Sequence, residues 1–245
     1  MVKSRKKSRK TRDLIEIINS KLFEESQKAK PSDFLNERLY ELCRRYPKHD
    51  SKEEIIAKTI ILGRVYAASL ERRRSKKTTT DDFYNDIVAP AFMKLENDNT
   101  FEGLKGLNEI SGNSIDQIFT AHYRLTTLIE QKGISKQNDR SFASKYLHFH
   151  FPNIFFIYDS RSRSAFANTS WSGLKKLKDK IPKKNVDKDY AVFVYKCLNL
   201  QLLIEKEHRS KLTPRQIDNF LIALAKKRPK PKQKRKKARR EIIDT

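Results

Sequence analysis

Residues 141–163, SFASKYLHFHFPNIFFIYDSRSR, predict a helix, a proline stop and the start of a second helix. Phe142, Tyr146 and Phe149 recur at spacings of four and three, which is typical of a helix that buries one broad face. Pro152 marks the end of that helix, because proline lacks the N–H group that would continue it. Residues 154–157 are all apolar. The stretch therefore predicts a helix and a connector that both pack into a hydrophobic core.

Asp159 and Ser160 follow this connector and have the form of a helix N-cap. A carboxylate at such a position has two interpretations. One is a structural cap, worth about 1 kcal/mol. The other is a carboxylate that faces a cleft, where burial and neighbouring charges tune its ionisation. On its own, the stretch favours the structural cap.

Similar signals outside the stretch predict further helices. Residues 51–54 and 213–216 each form a capping box before an apolar segment. The first box predicts a central helix over 55–70, and Pro90 is expected to kink or end a helix that begins near Asp81. Two more helices are expected, from Asn113 or Ser114 to Gln131 and from Asp187 or Lys188 to Glu207. Without a repeated alternating pattern, the fold class predicted is all-α, a compact multi-helix domain over 13–225.

The net charge of +24 is concentrated in two tails that flank this domain. An N-terminal arm, 1–12, carries seven Lys and Arg residues and no acid, and the C-terminal tail, 226–245, carries eleven in its first fifteen residues. Such tails are expected to be disordered alone and to bind a polyanion through counterion release. Nucleic acid is the partner they favour, although an anionic membrane or a solubility function would also use basic tails.

Other classes of protein are disfavoured by composition. No apolar run is long enough to span a membrane, and no apolar segment of a secretory signal follows the basic N-terminus. Cys43 and Cys197 are isolated, which indicates a reducing compartment and neither a disulfide framework nor a zinc site. We therefore expect a monomer in the cytoplasm, associated with the nucleoid, that binds double-stranded DNA and no membrane.

The segment from Ala143 to Asp159 resembles the helix-hairpin-helix DNA glycosylases and a recurrent pattern in related uncharacterised bacterial proteins. In that superfamily a hairpin leads into a helix, an apolar connector follows, and a catalytic aspartate begins the next helix. When Ala143 is set on the family's alanine after the hairpin, Asp159 falls on the catalytic aspartate without a gap. The resemblance covers 137–166 and implies that this protein is a divergent member of the superfamily.

The chain departs from the family pattern at the hairpin. Residues 137–140 read Gln-Asn-Asp-Arg, where the family usually has a glycine turn that donates backbone N–H groups to a DNA phosphate. The lysine of lyase-type members would fall on Ser141, whereas Lys145 lies two residues after the alanine. Lys145 is kept as a second catalytic candidate, with phosphate binding or an ordinary ion pair as alternatives. No four-cysteine cluster follows, so no cofactor is expected.

The resemblance implies hydrolysis of the N-glycosidic bond of a damaged or modified base, in base repair or in defence against phage with modified DNA. The base would be flipped into a pocket, and Asp159 would stabilise the positive charge that develops on the sugar. Expected pocket residues are Tyr146, His148, His150, Tyr158 and Trp171. Expected nucleic-acid contacts are Gln137, Asn138, Arg140, Ser141, Arg161, Arg163, Lys175 and Lys176. Two histidines two positions apart on a helix point in different directions, so no metal site is predicted.

Two alternatives remain open from the sequence. The missing hairpin glycines would also suit a non-catalytic protein that binds nucleic acid on a glycosylase-like helical fold. The tails would also suit an RNA-associated basic protein, although they leave the stretch 141–163 unexplained.

Overall fold

A computed structural model describes residue 18 and residues 21–97, 99–112, 114–135, 139–166 and 180–226. Within these ranges the secondary structure is helical and contains no strand, which confirms the all-α class. The arm 1–12 and residues 227–245 of the C-terminal tail lie outside the described residues, so their predicted disorder stays a prediction.

Nine α-helices are labelled in chain order within the described ranges. They are α1 (Leu22–Gln27), α2 (Asp33–Arg45), α3 (Lys52–Val65), α4 (Ala89–Asn97), α5 (Ile115–Gln131), α6 (Arg140–His150), α7 (Ser160–Phe166), α8 (Lys188–His208) and α9 (Pro214–Lys226). Short 3₁₀ helices occur at Leu70–Arg73 and Glu102–Leu104. A turn of α-helix at Thr80–Asp82 and a π-helix at Phe83–Val88 lead directly into α4.

Side-chain caps confirm the predicted starts of α3, α8 and α9. The hydroxyl of Ser51 accepts a hydrogen bond from the amide of Glu54 at 3.3 Å. At the start of α9 the capping is reciprocal: the amide of Gln216 donates to the Thr213 hydroxyl at 3.3 Å, and the Gln216 side chain accepts from the Thr213 amide at 2.8 Å. Asp187 caps α8 by accepting two backbone N–H bonds. These bonds satisfy amides that a helix start leaves without partners.

The predicted end of α3 at Leu70 is wrong, because the helix stops at Val65. Ala67 adopts a left-handed conformation with φ of 52°, and the amide of Ala68 donates back to the carbonyl of Gly63 at 2.8 Å. This is a Schellman ending, in which alanine occupies the position that usually holds glycine. The chain therefore folds back over the last turn of α3, and the carbonyl of Tyr66, the C-cap of α3, accepts a hydrogen bond from Lys145 of α6.

Pro90 neither ends nor interrupts the helical segment that contains it. The chain remains helical from Thr80 to Asn97, with the π-helix at 83–88 immediately before the proline. A π-helix widens the turn, which accommodates a residue that has no N–H group and whose ring would clash with the carbonyl one turn earlier. The expected stop is therefore wrong, and the π-helix is the irregularity that accompanies the proline.

The centre of the fold is α6, which packs against α2, α3 and α5. Every residue from 142 to 149 is buried, whereas Ile61 of α3 is 41% exposed, so α3 is enclosed on fewer sides than its apolar sequence predicts. The connector 154–157 is buried as predicted. Helix α9 packs against α1 and α7. It covers the side of α7 that carries Ser162.

Candidate active site

Asp159 is the N-cap of α7, as its sequence position predicts. Its Oδ1 accepts a hydrogen bond from the amide of Ser162 at 2.8 Å, and its carbonyl accepts from the amide of Arg163 at 2.9 Å. The residue is only partly buried. The carboxylate is therefore fixed at the first turn of α7 and keeps a second oxygen beyond the one that caps the helix.

Hydrogen bonds between α6 and the connector determine where Asp159 lies. The amide of Tyr158 donates to the Ser144 hydroxyl at 3.0 Å, and this hydroxyl lies 3.3 Å from the Tyr158 carbonyl. Further along α6, the Nδ1–H of His148 donates to the carbonyl of Phe155 at 2.7 Å. These bonds hold the connector against α6. Tyr158, which precedes Asp159, is bonded to Ser144, which precedes Lys145, so the connector brings Asp159 to the part of α6 that carries Lys145.

Lys145 is an enclosed amine on α6, with a relative exposure of 3%. Its Nζ donates to the hydroxyl of Ser141 at 3.0 Å and to the carbonyl of Tyr66 at 3.4 Å, and it lies 5.6 Å from the centre of the Tyr66 ring. Burial lowers the pKa of this amine, and the carboxylates of Asp159 and Asp218 oppose that effect. The structure thus brings the two predicted catalytic residues into one electrostatic environment.

Two further charged residues of this environment, Arg215 and Asp218, were not identified from the sequence. Asp218 is 3% exposed, and its Oδ2 accepts a hydrogen bond from Arg215 Nη1 at 3.0 Å. Burial raises the pKa of the Asp218 carboxyl to about 6; Arg215 counteracts this shift and the nearby Asp159 adds to it. Arg215 also lies 6.0 Å from the centre of the Tyr66 ring, which therefore contacts two cations.

A local signal for these two residues existed but was incomplete. The capping box at 213–216 places Arg215 in the first turn of α9 and Asp218 one turn later, at a spacing that permits their ion pair. It contains no information about which other helix α9 contacts. Only the packing of α9 against α7 brings Asp218 to the candidate site.

Two of the expected pocket residues, Tyr146 and His148, lie in the core with no exposed surface. The Tyr146 hydroxyl is hydrogen-bonded to Nε2 of His49 at 2.7 Å, and the Tyr40 hydroxyl donates to Nε2 of His148 at 2.6 Å. Burial lowers the pKa of His148 to about 3, so its ring is neutral. In this conformation neither ring presents a face on which a base could stack.

The other pocket candidates differ in placement. Tyr158 is 7% exposed, and the guanidinium of Arg140 lies 5.4 Å from the centre of its ring. His150 lines a cavity of about 280 Å³ together with Phe101 and Phe151. Burial lowers the pKa of His150 to about 3. Trp171 lies outside the described residues.

The nucleic-acid candidates also separate into groups. Arg161 and Arg163 are exposed on α7, where they are free to meet a polyanion. Arg140 is instead engaged with α8, because its Nε donates to Asp187 at 2.7 Å and its Nη1 lies 3.2 Å from Asp189. Ser141 accepts the hydrogen bond from Lys145. Gln137, Asn138, Lys175 and Lys176 lie outside the described residues.

Among the described residues, no three His, Cys, Asp or Glu side chains are grouped so that they could hold a metal ion. Each described helix is too short or too polar to cross a membrane.

Comparison with known proteins does not identify this chain: no family model, no curated protein and no solved structure matches it.

Proposed function

We propose that the protein is a DNA N-glycosylase that releases a damaged or modified base from DNA. The observation that supports this most directly is the enclosure of the Lys145 amine in the field of the Asp159 carboxylate, at the first turn of α7, whose Arg161 and Arg163 side chains are exposed. The resemblance of 143–159 to the helix-hairpin-helix glycosylases and the basic tails support the same reaction and the same polymer.

In the proposed reaction the bond between the sugar C1′ and the base nitrogen breaks, and the base leaves with the bonding electrons and gains a proton. The sugar develops positive charge like that of an oxocarbenium ion. The Asp159 carboxylate stabilises this charge and orients the water that adds to C1′, while the water's second proton is released. Because burial lowers the pKa of Lys145, more of its amine is neutral than in water, as a nucleophile requires.

The experiment is mass spectrometry of the bases released from genomic DNAs that carry different modifications. The wild-type protein should release a base from at least one of them, and Asp159→Asn should release at least about a hundredfold less while still binding the same DNA. Asp187→Asn is the matched control, because Asp187 also caps a helix with its side chain but lies on α8. Full base release by Asp159→Asn would remove Asp159 from the mechanism.

A second measurement isolates Lys145. If its amine attacks C1′, borohydride should trap the protein covalently on the substrate DNA, and Lys145→Gln should abolish the trapped species. If wild-type protein releases base without a trapped species, Lys145 acts by charge alone and the enzyme is a simple hydrolase.

One observation favours a non-catalytic nucleic-acid-binding protein as the alternative. The bond from the Ser162 amide to Asp159 Oδ1, at 2.8 Å, already gives the carboxylate a structural purpose. This alternative predicts no free base from any DNA and binding that weakens steeply with salt. Competition between duplex DNA and structured RNA would then identify the nucleic acid that it prefers.

A further inference from the structure

Ser162 connects two carboxylates that belong to different helices. Its amide donates to Oδ1 of Asp159 at 2.8 Å, and its hydroxyl donates to Oδ1 of Asp218 at 2.8 Å. Ser162 has no exposed surface, and Asp218 is 3% exposed. One enclosed residue therefore transmits the position of Asp218, on α9, to the cap of α7.

Asp218 is held firmly at the other end of this connection. Its Oδ2 accepts from Arg215 Nη1 at 3.0 Å, and the side chain of Arg215 is itself 18% exposed. Helix α9 is packed against both α1 and α7 along this side of the molecule. The packing of α9 fixes the backbone of Asp218, and the bonds from Arg215 and Ser162 hold its carboxylate, which makes it a reference for the first turn of α7.

We propose that Asp218 is a positioning residue of the candidate site, which acts through Ser162 to fix the Asp159 carboxylate relative to the Lys145 amine. This inference rests on the proposed function, and it adds a residue that neither the local sequence pattern nor the family resemblance supplies. Asp218 does not touch the substrate, and its effect passes through a serine hydroxyl.

The charge on Asp218 reaches the same groups. Burial lowers the pKa of the Lys145 amine, the carboxylates of Asp159 and Asp218 oppose this effect, and Arg161 adds to it. The titratable and charged groups that share this field come from every packed element around it. They are Lys30, Tyr40, Tyr66, Lys145, Asp159, Arg161, Cys197 and Arg215.

The first test measures base release over pH 4.5 to 8.5 in wild type and two variants. Ser162→Ala removes the connection, and we expect kcat to fall about tenfold to a hundredfold with KM changed less than about threefold, because misplacement of a reacting group affects mainly the chemical step. Asp218→Asn keeps the shape of the side chain and removes its charge. We expect the wild-type rate to change near pH 6, where Asp218 ionises, and we expect this change to be absent from the profile of Asp218→Asn.

Two controls separate positioning from general damage to the fold. Ser164→Ala removes a serine hydroxyl from the same helix that bonds only to the Arg161 carbonyl, at 2.8 Å, and should keep the wild-type kcat. Asp187→Asn removes the charge of another buried carboxylate paired with arginine and should keep the wild-type pH profile. If Ser162→Ala and Asp218→Asn behave like these controls, Asp218 has no positioning function.

The second test does not depend on activity. The side-chain carboxyl carbon of Asp159, assigned by its absence in Asp159→Asn, is followed by NMR across the same pH range. We expect its chemical shift to move in Ser162→Ala and in Asp218→Asn, because either change alters the connection that holds the Asp159 carboxylate. An Asp159 carboxyl resonance that is the same in wild type, Ser162→Ala and Asp218→Asn would overturn the inference.

The two measurements distinguish the failure of this inference from failure of the proposed function. A wild-type protein that releases no base from any DNA disproves the glycosylase, while the Asp159 carboxyl resonance in the variants still decides whether Asp218 positions Asp159. An active wild type whose rate profile and Asp159 carboxyl resonance are both unchanged in Asp218→Asn and in Ser162→Ala disproves the positioning residue alone.

Discussion

Two buried ion pairs with the same composition, Arg140–Asp187 and Arg215–Asp218, have opposite electrostatic outcomes. The pairs have similar geometry, with nitrogen–oxygen distances of 2.7 Å and 3.0 Å. Burial would raise the pKa of Asp187, but hydrogen bonds from Arg140 and from the Tyr190 amide outweigh burial and lower it. For Asp218 burial dominates, and its pKa rises to about 6.

The difference lies in the donors around each carboxylate rather than in the arginine. Asp187 is an N-cap, so the amides of Asp189 and Tyr190 donate to its Oδ1 at 3.0 Å each. Asp218 lies inside α9, where the backbone amides are already used, and its other donor is the neutral hydroxyl of Ser162. The pKa of Asp187 is therefore lowered beside its arginine, whereas the pKa of Asp218 is raised to about 6 beside its own.

The largest expected effect comes from removal of each arginine. At pH 8, Arg215→Met should lose about 3–5 kcal/mol of unfolding free energy, because it leaves a buried carboxylate without its charged partner. At pH 5 the loss should be smaller, since Asp218 can take up a proton. Arg140→Met should lose a similar amount at both pH values, because amides keep Asp187 ionised.

Urea unfolding at pH 5 and pH 8 measures both variants. An Arg215→Met variant that loses the same free energy at both values would show that Asp218 does not titrate in this range, and the contrast between the two pairs would disappear.

The next effect is the pH range in which each aspartate influences stability. The raised pKa of Asp218 means that the folded protein binds this proton more tightly than the unfolded chain. This contribution favours folding below about pH 4 and is lost as pH rises through about 6, by on the order of 3 kcal/mol at about 1.4 kcal/mol per pKa unit. The wild type should therefore lose this stability relative to Asp218→Asn as pH rises.

Asp187 should show the reverse dependence. Its pKa is lowered, so its contribution is present above about pH 4, the ordinary value of an unfolded aspartate, and is lost as pH falls further. The difference in melting temperature between wild type and Asp187→Asn should shrink only in acid. Parallel melting curves for the two Asn variants from pH 3 to pH 8 would contradict the comparison.

A smaller effect is expected from substitution of Ser162, whose hydroxyl donates a hydrogen bond to Asp218. Ser162→Ala should cost about 1–3 kcal/mol, because it leaves a buried carboxylate oxygen without a donor. Ser164→Ala, on the more exposed side of α7, should cost less than about 0.5 kcal/mol. Chemical unfolding at pH 8 compares them, and equal losses would indicate that the hydroxyl of Ser162 contributes only to helix packing.

The smallest effect belongs to the exposed end of the Arg140 network. The side chain of Asp189 is 73% exposed and lies 3.2 Å from Arg140. Asp189→Asn should cost at most about 0.5 kcal/mol, and the cost should vanish in about 1 M salt, which screens exposed charges. A loss that persists at high salt would place Asp189 with the buried pair rather than with the surface.

Local signals in the sequence identified what local hydrogen bonds determine. The caps at Ser51, Asp159, Asp187 and Thr213 each bind amides within four residues, so the residues that define them are neighbours in the chain. The buried helix 140–150 and its apolar connector were predicted for a similar reason, because periodicity within a segment reports which face it buries.

Features that depend on distant or atypical residues were missed. The Schellman ending of α3 uses Ala67 where glycine is usual, and the π-helix before Pro90 has no sequence signature of its own. Asp218 lies 56 positions from Ser162, so only packing of α9 on α7 joins them. His148 and His150 were predicted to line a base pocket. Nothing in their spacing along the chain reveals that the His148 ring is fully enclosed or that burial lowers the pKa of both rings.

The packing of α9 also sets the order in which the site can be completed during synthesis. A ribosome releases the chain from its N-terminus, so α6 and α7, with Lys145 and Asp159, emerge before α9 does. Until α9 docks, Ser162 has no second carboxylate to bind, and Lys145 lacks the Asp218 charge that opposes the effect of its burial. The site of the nascent protein would therefore lack Arg215 and Asp218, and docking of α9 would be the step that completes it.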